Sequence, residues 1–209
     1  MYSTNLSVFL YLTRKAVMEL ITLFLTEWGY LALFVLMALE NMNIPIPSEI
    51  ILGFAGFLVY KQIFSFIPTI IIGIIAGIVG SLLSYWLGYK GGRAILLKYS
   101  TTQNLTTKKL VAANSWFQKY GGIAVFTGRL LPGIRTFISL PAGIARYDLS
   151  KFIILSLFGT IPWTLFLVYL GVMLGENWHI LLNWKLEILI ASILLVLFIF
   201  IVFYLFKKK

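Results

Sequence analysis

The chain has 209 residues, of which 60% are hydrophobic and 11% are charged, and its formal net charge is +10. Soluble domains have about 25% charged residues. This composition, with a mean hydropathy of +0.96, therefore predicts an all-α polytopic membrane protein with about five or six membrane-embedded segments. Cysteine is absent, which excludes thiolate metal sites and disulfides, and one histidine and one aspartate leave too little for a histidine metal centre or a Ser-His-Asp triad. We expect no metal, no cofactor and no enzymatic activity.

The N-terminal region, residues 1–27, precedes the core of the chain. Residues 1–13 mix polar and aromatic side chains, which predicts an interfacial or poorly ordered segment. Residues 16–39 are mostly apolar but contain acidic residues, including Glu27. Two alternatives stay open for them: one tilted span, or two shorter helices that meet near Gly29.

Residues 44–60 cannot form a straight membrane span, because Pro45 and Pro47 remove backbone donors and push the residues before them out of the helical region. Irregular backbone at membrane depth must be buried in protein or face a wet cavity. The stretch is long enough for two short half-helices, and it predicts a re-entrant hairpin. Glu40 precedes this segment and Glu49 lies within it.

Residues 63–89 form the clearest full span, and small residues at four-residue spacing along it allow another helix to approach closely. Residues 90–120 are basic and contain no acidic residue, which predicts a cytoplasmic amphipathic segment on the inner leaflet. A helix there is expected to have its cap at Thr106 or Thr107 and to stop at Gly121-Gly122.

Residues 121–147 repeat the pattern of the first hairpin, since prolines and glycines interrupt an apolar run. This second predicted re-entrant hairpin brings the two arginines Arg129 and Arg135. Interrupted segments in corresponding positions of two halves of a membrane protein indicate a transport site at the interface of an inverted repeat. Residues 28–175 are therefore interpreted as the functional core.

Residues 149–175 form the next predicted span, with Asp148 as the expected helix N-cap. Residues 176–209 are interpreted as a short loop, a final transmembrane helix and a lysine tail.

The distribution of lysine and arginine predicts the topology. If residues 90–120 are cytoplasmic, the two hairpins enter the membrane from opposite faces, as an inverted repeat requires. Outside the hairpins, every lysine and arginine except Lys61 and Lys185 then lies on the cytoplasmic side, which is a strong positive-inside bias. The net charge is thus a topology signal, and nucleic acid is not an expected partner.

Four charged side chains accompany the two predicted hairpins, and they are the candidate substrate-binding residues: Glu40, Glu49, Arg129 and Arg135. A charge at the bilayer centre costs at least about 2.5–3.5 kcal/mol, so we expect these groups to share a hydrated cavity near the midplane or to pair. One alternative is a structural ion-pair network. The other is an anion site, because arginine presents a planar fork that matches phosphate oxygens. The carboxylates would hold the arginines in the empty site or exchange protons, since burial favours the neutral form of a carboxylate.

Five further side chains are candidates for lining the site: Asn41, Asn43, Ser48, Ser139 and Trp163. The polar ones also suit local caps or turns, and the tryptophan, which follows Pro162, also suits packing.

Five stretches of the core are similar to one family: Glu40 with PIPSEIILGFAG (residues 45–56), the glycine-rich span with YWLG (residues 85–88) and GGR (residues 91–93), Trp116-Phe117 with Tyr120-Gly121, FTGRLLPGIRTFISLPAG (residues 126–143), and Phe152 through Pro162-Trp163. In these stretches the chain resembles the DedA family of membrane proteins, which share the SNARE-associated or VTT domain. The resemblance covers about residues 28–175.

The resemblance implies two facing re-entrant hairpins in a bacterial plasma membrane. The family's essential membrane charges carry over to Glu40, Arg129 and Arg135. Its second acidic position is matched by Glu49, although some members have an aspartate there within a different local sequence.

The resemblance also implies a lipid-phosphate flippase, with an anionic lipid headgroup as its partner. Members similar to this chain are associated with returning undecaprenyl phosphate to the inner leaflet. Proton exchange by the buried carboxylates would couple this movement to the proton gradient. Alternatives are a phosphatidylethanolamine or general phospholipid scramblase and a proton-coupled transporter of small solutes. A lipid phosphatase would need a histidine, and His179 lies in the predicted loop after residue 175, outside the two hairpins that carry the charges. The lipid, the coupling ion and the oligomeric state, a homo-oligomer included, stay open.

Overall fold

The computed structural model describes residues 2–92, 103–131 and 134–182, and within these ranges the chain contains helices and no strand. Three described stretches are long and apolar enough to cross a membrane: Met18–Asn41, Phe66–Gly92 and Leu149–Trp178. The predicted all-α membrane architecture is therefore confirmed at this level. The predicted final transmembrane helix and lysine tail lie beyond the described residues.

Helix α1 covers Tyr2–Asn41 and is broken at Gly29, whose φ of 57° and ψ of −131° are not helical. Glycine adopts this backbone conformation readily because it has no Cβ atom. The break decides between the two alternatives for residues 16–39, which form two shorter helical segments that meet at Gly29. Glu27 consequently lies near the end of the first segment, where its side chain is exposed.

Helix α2 covers Ser48–Tyr60 and is a single helix. The expectation of two half-helices within residues 44–60 is therefore wrong. The prolines hold residues 44–47 out of the helical conformation, and Pro47 lies at the N-cap of α2, where a helix needs no donor from it.

Helix α2 packs beside the second segment of α1, and we call these two helices the arms of the first interrupted segment. Ser65, just beyond α2, donates its backbone N–H to the hydroxyl of Tyr30 at 2.7 Å, and Tyr30 opens that second segment. The end of α2 thus lies beside the start of the segment, so the two arms are antiparallel.

Helix α3 covers Phe66–Leu87 and continues into a π-helical turn, Gly88–Gly92. Its small residues permit close approach, as predicted. A Cβ atom on Gly80 would lie 2.1 Å from the carbonyl oxygen of Ala38 in α1.

Helix α4 covers Gln103–Leu130 without interruption. The predicted start at Thr106 or Thr107 and stop at Gly121-Gly122 are therefore wrong. Glycine costs a helix only about 1 kcal/mol, and packing outweighs that cost, because a Cβ atom on Gly121 would lie 2.7 Å from the ring of Tyr147. The glycine serves a close contact and does not end the helix, so the first arm of the second interrupted segment is the C-terminal part of α4.

Two short helices follow, α5 at Ile134–Phe137 and α6 at Ser139–Ile144, and Pro141 is accommodated in the first turn of α6. Helix α7 covers Leu149–Leu174, and the carboxylate of Asp148 accepts a hydrogen bond from the backbone N–H of Lys151 at 2.8 Å. The predicted N-cap is confirmed. Gly175–Leu182 then form a 3-10 helix where a loop was expected.

The second arm of each interrupted segment packs against the long helix of the other half of the chain. For α2 this helix is α7, and for α6 it is α3. In α2, a Cβ atom on Gly56 would lie 2.3 Å from the carbonyl oxygen of Val168 in α7. In α6, a Cβ atom on Gly143 would lie 2.0 Å from the carbonyl oxygen of Tyr85 in α3. Each contact uses the glycine of an Ala-Gly pair, and each brings two backbones together where no side chain fits.

Candidate functional site

The centre of the described structure holds a buried ion pair between the two halves of the chain. Glu40 lies in the last turn of α1 and Arg135 lies in α5. The Nη2 atom of Arg135 lies 2.9 Å from both carboxylate oxygens of Glu40, and the two residues are 3% and 4% exposed. The predicted meeting of acidic and basic residues from the two interrupted segments is thus observed for this pair.

Arg129 is buried nearby but has no carboxylate partner among the described residues. Its Nη1 atom donates to the side-chain oxygen of Asn41 at 3.2 Å, and its Nη2 atom donates to the hydroxyl of Ser139 at 2.8 Å. Its Nε atom is buried and has no hydrogen-bond acceptor among the described residues. Within the described ranges, Arg129 is therefore held by neutral side chains alone.

Asn41 connects the two charged groups. Its side-chain nitrogen donates to Glu40 at 2.6 Å and to the carbonyl oxygen of Met37 at 2.9 Å, while its oxygen accepts from Arg129. The sequence marked Asn41 only as polar lining, and its central place depends on α4 meeting the end of α1.

Each guanidinium also lies over an aromatic ring of α7. The Cζ atom of Arg135 is 5.1 Å from the ring centroid of Trp163, and that of Arg129 is 5.7 Å from the ring of Phe152. Such cation–π contacts stabilise a desolvated cation. The sequence included Trp163 as a lining candidate, whereas Phe152 entered only as the start of a stretch that resembles the family and had no predicted role at the site.

Gly159 of α7 allows Arg129 to come this close. A Cβ atom on Gly159 would lie 2.4 Å from the Cβ atom of Arg129. Helix α7 therefore presents a glycine and two rings to the guanidinium groups.

Glu49 is placed apart from the ion pair. It lies half-buried in the first turn of α2, and it forms no hydrogen bond or ion pair with the part of the chain that the structure describes. Its negative charge still acts on Glu40 through space. Glu49 is thus a neighbour of the cluster and not a direct ligand of either arginine here.

The polar lining candidates take three different places. Ser139 binds Arg129 directly, and Ser48 is buried at the start of α2. Asn43 accepts a hydrogen bond from the hydroxyl of Ser84 in α3 and donates to the carbonyl oxygen of Thr136 at 3.0 Å. Asn43 therefore connects the turn between α1 and α2 to both α3 and α5.

The buried cluster carries an excess of positive charge, because two guanidiniums, Arg129 and Arg135, face one carboxylate, Glu40. A buried charge without a counterion costs several kcal/mol, so an anion would be stabilised at Arg129. Among the described residues no group of three His, Cys, Asp or Glu side chains could hold a metal ion. The cluster thus has a net positive charge in a buried place, which is what an anion-binding site requires.

The sequence was compared with known proteins. Residues 46–173 match the VTT domain family. The chain is 39% identical to undecaprenyl phosphate transporter A of Bacillus subtilis over 160 residues. These residues are 77% of this chain and 78% of that protein. It is 35% identical to undecaprenyl phosphate transporter A of Staphylococcus aureus over 198 residues, 91% of this chain and 98% of that protein.

A third relative bears a different name. The alkaline phosphatase-like protein of Lactococcus lactis subsp. cremoris is 34% identical over 168 residues, which cover 78% of each chain. No solved structure matches the chain. The family match and the membrane-length helices together give one conclusion: the chain belongs to the VTT domain family of DedA membrane proteins and is a multi-pass protein of the bacterial plasma membrane.

Proposed function

We propose that this protein moves undecaprenyl phosphate across the bacterial plasma membrane and that Arg129 binds the phosphate headgroup. The observation that carries the proposal is the buried Arg129 guanidinium, which has neutral partners and no carboxylate among the described residues. A planar guanidinium fork matches the oxygens of a phosphate and can bind two of them at once. The two relatives named undecaprenyl phosphate transporter A point to the same lipid.

The geometry of a lipid suits this site. A lipid headgroup needs only a narrow polar passage, because its tails stay in the bilayer while the phosphate moves. The guanidiniums of Arg129 and Arg135 both pack against α7, over its Phe152 and Trp163 rings. The two guanidiniums lie in one cluster, because Asn41 contacts both Arg129 and the carboxylate that binds Arg135. In this proposal the two arginines serve as successive binding positions for the headgroup along α7.

We also propose that the core is an inverted repeat of two re-entrant hairpins. The second segment of α1 with α2 would form one hairpin, and the end of α4 with α5 and α6 would form the other. The crossed packing supports this arrangement, because Gly56 of α2 meets α7 while Gly143 of α6 meets α3. Equivalent contacts in exchanged positions are what an inverted repeat produces.

Coupling to the proton gradient is a further part of the proposal. Glu40 holds Arg135 in a buried pair, and burial makes an isolated carboxylate costly. A proton taken up by Glu40 would remove its charge and free Arg135 for the phosphate. Release of the proton on the other side would restore the pair and expel the anion.

The third relative's name makes a phosphatase the second candidate to be tested. Hydrolysis of a phosphate ester needs a metal, a nucleophile or an acid–base group at the phosphorus. The buried cluster offers arginines, neutral amides and hydroxyls, and a single carboxylate already engaged by Arg135. We therefore propose transport without hydrolysis.

The decisive experiment measures undecaprenyl phosphate exposed on the cell surface. A strain without this protein is complemented with the wild type, with Arg129→Lys or with Gly91→Ala, whose site has open space around it. The wild type and Gly91→Ala are expected to lower the exposed lipid, and Arg129→Lys is not. Equal exposure in all strains, with equal protein in the membrane, would overturn the proposal.

Reconstituted liposomes separate the remaining alternatives. Vesicles hold either undecaprenyl phosphate or phosphatidylethanolamine, with and without an imposed proton gradient. Gradient-dependent movement of undecaprenyl phosphate alone supports the coupled flippase. Movement of both lipids without a gradient identifies a scramblase instead, and release of inorganic phosphate identifies a phosphatase.

A further inference from the structure

Helix α7 carries a buried hydrogen-bond donor that the fold does not use. The indole nitrogen of Trp163 has no acceptor among the described residues, and the side chain is 5% exposed. Burying a donor without an acceptor costs about 1–3 kcal/mol. Buried tryptophans usually find an acceptor for this N–H group, so its retention here calls for a role.

The position of this donor is close to the charged cluster. The ring of Trp163 lies 5.1 Å from the Cζ atom of Arg135, which in turn contacts Glu40 at 2.9 Å. The indole is therefore in contact with the guanidinium that the proposed mechanism frees for the headgroup. Packing alone would be met equally well by a phenylalanine, as Phe152 is under Arg129.

The chemistry of the indole N–H group restricts its partner. It is a donor only and cannot accept a hydrogen bond. Glu40 already receives hydrogen bonds from Arg135 and Asn41. The structure shows no hydrogen bond from the indole to Glu40. An acceptor-rich anion that reaches Arg135 would supply the missing acceptor, and a phosphate monoester has oxygens to spare for both donors.

We propose that Trp163 is a headgroup-binding residue, whose indole N–H group donates to a phosphate oxygen of the lipid while its ring supports Arg135. This inference rests on the proposed function and adds to it a neutral donor beside the two arginines. A hydrogen bond to a charged phosphate is stronger than one to the hydroxyl of an uncharged polyprenol, so the donor favours the phosphate. It also marks Arg135 as the position where the headgroup is held by two side chains.

The test follows the indole signal directly. The protein is labelled with ¹⁵N at tryptophan in detergent micelles, and the Trp163 resonance is assigned by its loss in Trp163→Phe. Undecaprenyl phosphate, undecaprenol and inorganic phosphate are added in separate samples. We expect undecaprenyl phosphate to move the Trp163 N–H signal downfield and undecaprenol to leave it in place. Inorganic phosphate has no lipid tails to hold it in the site, so we expect it to leave the signal in place as well, and a shift with it alone would overturn the inference of a lipid ligand.

A matched variant separates the donor from the bulk of the side chain. Trp178 is also buried, at 8% exposure, and its ring packs against Phe54 away from the charged cluster. Trp163→Phe is expected to weaken lipid binding by about tenfold or more, the effect of losing a hydrogen bond to a charged group. Trp178→Phe is expected to leave binding unchanged.

The ³¹P signal of the lipid distinguishes a failure of the Trp163 inference from a failure of the proposed function. If the ³¹P signal reports binding that depends on Arg129 while the indole signal stays still, the role of Trp163 is wrong and the proposed function stands. If the lipid does not bind the wild-type protein at all, both are wrong.

Discussion

Both carboxylate oxygens of Glu40 lie 2.9 Å from a single nitrogen of Arg135, 95 residues further along the chain. The pair joins the end of α1 to α5, so it connects the two interrupted segments at their turns. Arg129 lies beside it and has only neutral partners among the described residues. One arginine is thus neutralised and the other is available, and this difference leads to several predictions.

The buried pair should be strongly coupled in its effect on stability. Glu40→Gln or Arg135→Gln alone leaves one charge buried without its partner, which costs about 3–5 kcal/mol. The double variant should lose clearly less than the sum of the two single losses. Equilibrium unfolding in mixed detergent micelles measures the three free energies, and strictly additive losses would contradict the coupling.

The ion pair of Lys61 and Glu176 provides the control for this cycle. Its atoms are 2.5 Å apart, but the side chains are 41% and 70% exposed. Water screens such a pair, so Lys61→Gln with Glu176→Gln should show almost no coupling.

Arg129→Lys should abolish transport although it keeps the positive charge. The ammonium group of lysine has no planar fork, so it cannot reproduce the contacts to Asn41 and Ser139 and still receive a phosphate. We expect binding of undecaprenyl phosphate to weaken by about tenfold or more, as measured by titration in micelles. Arg146→Lys, an exposed arginine outside the cluster, is the matched control.

Asn41→Asp should inactivate the protein through its charge and not its shape. The new carboxylate would take the place of the amide oxygen that accepts from Arg129, and it would neutralise the guanidinium. It would also face Glu40 without the donor that now binds it. Lipid binding is expected to fall sharply in a protein that is still folded by thermal scanning, and wild-type affinity in this variant would show that Arg129 is not the anion site.

The crossed packing should be intolerant of a single methyl group. Gly56→Ala and Gly143→Ala would place a Cβ atom 2.3 Å and 2.0 Å from backbone oxygens of α7 and α3. Because backbone cannot move aside easily, each change should lower the free energy of unfolding by about 1–3 kcal/mol and reduce transport. No described atom lies within 4 Å of a Cβ atom on Gly91, so Gly91→Ala should change neither. Wild-type stability in both test variants would mean that the arms pack less tightly than described.

His179→Ala should leave lipid transport intact. Histidine is the residue that a phosphatase would most readily use as an acid, base or nucleophile, and this chain has one. Transport and phosphate release are measured in the same proteoliposomes. Loss of either activity in this variant would favour the enzyme.

The sequence alone was enough to predict the class of protein and, apart from Glu49, the charged residues that lie together in the buried cluster. Composition predicts the membrane, because so apolar a chain would aggregate in water. Charged residues beside proline-interrupted segments predict an internal site, because such groups cannot face lipid tails. Local chemistry also predicted the N-cap at Asp148, since a cap depends on residues next to each other in the chain.

The tertiary structure decided which arms form each interrupted segment and which charges meet. Gly121 continues a helix because Tyr147 packs against it, and the same residue type at Gly29 breaks one. Whether glycine bends a helix or lets another element approach depends on its neighbours in space, which spacing along the chain does not contain. For the same reason the sequence grouped Glu49 with the other three charged residues. Only the tertiary structure decided that Glu40 pairs with Arg135 and that Arg129 binds Asn41 and Ser139.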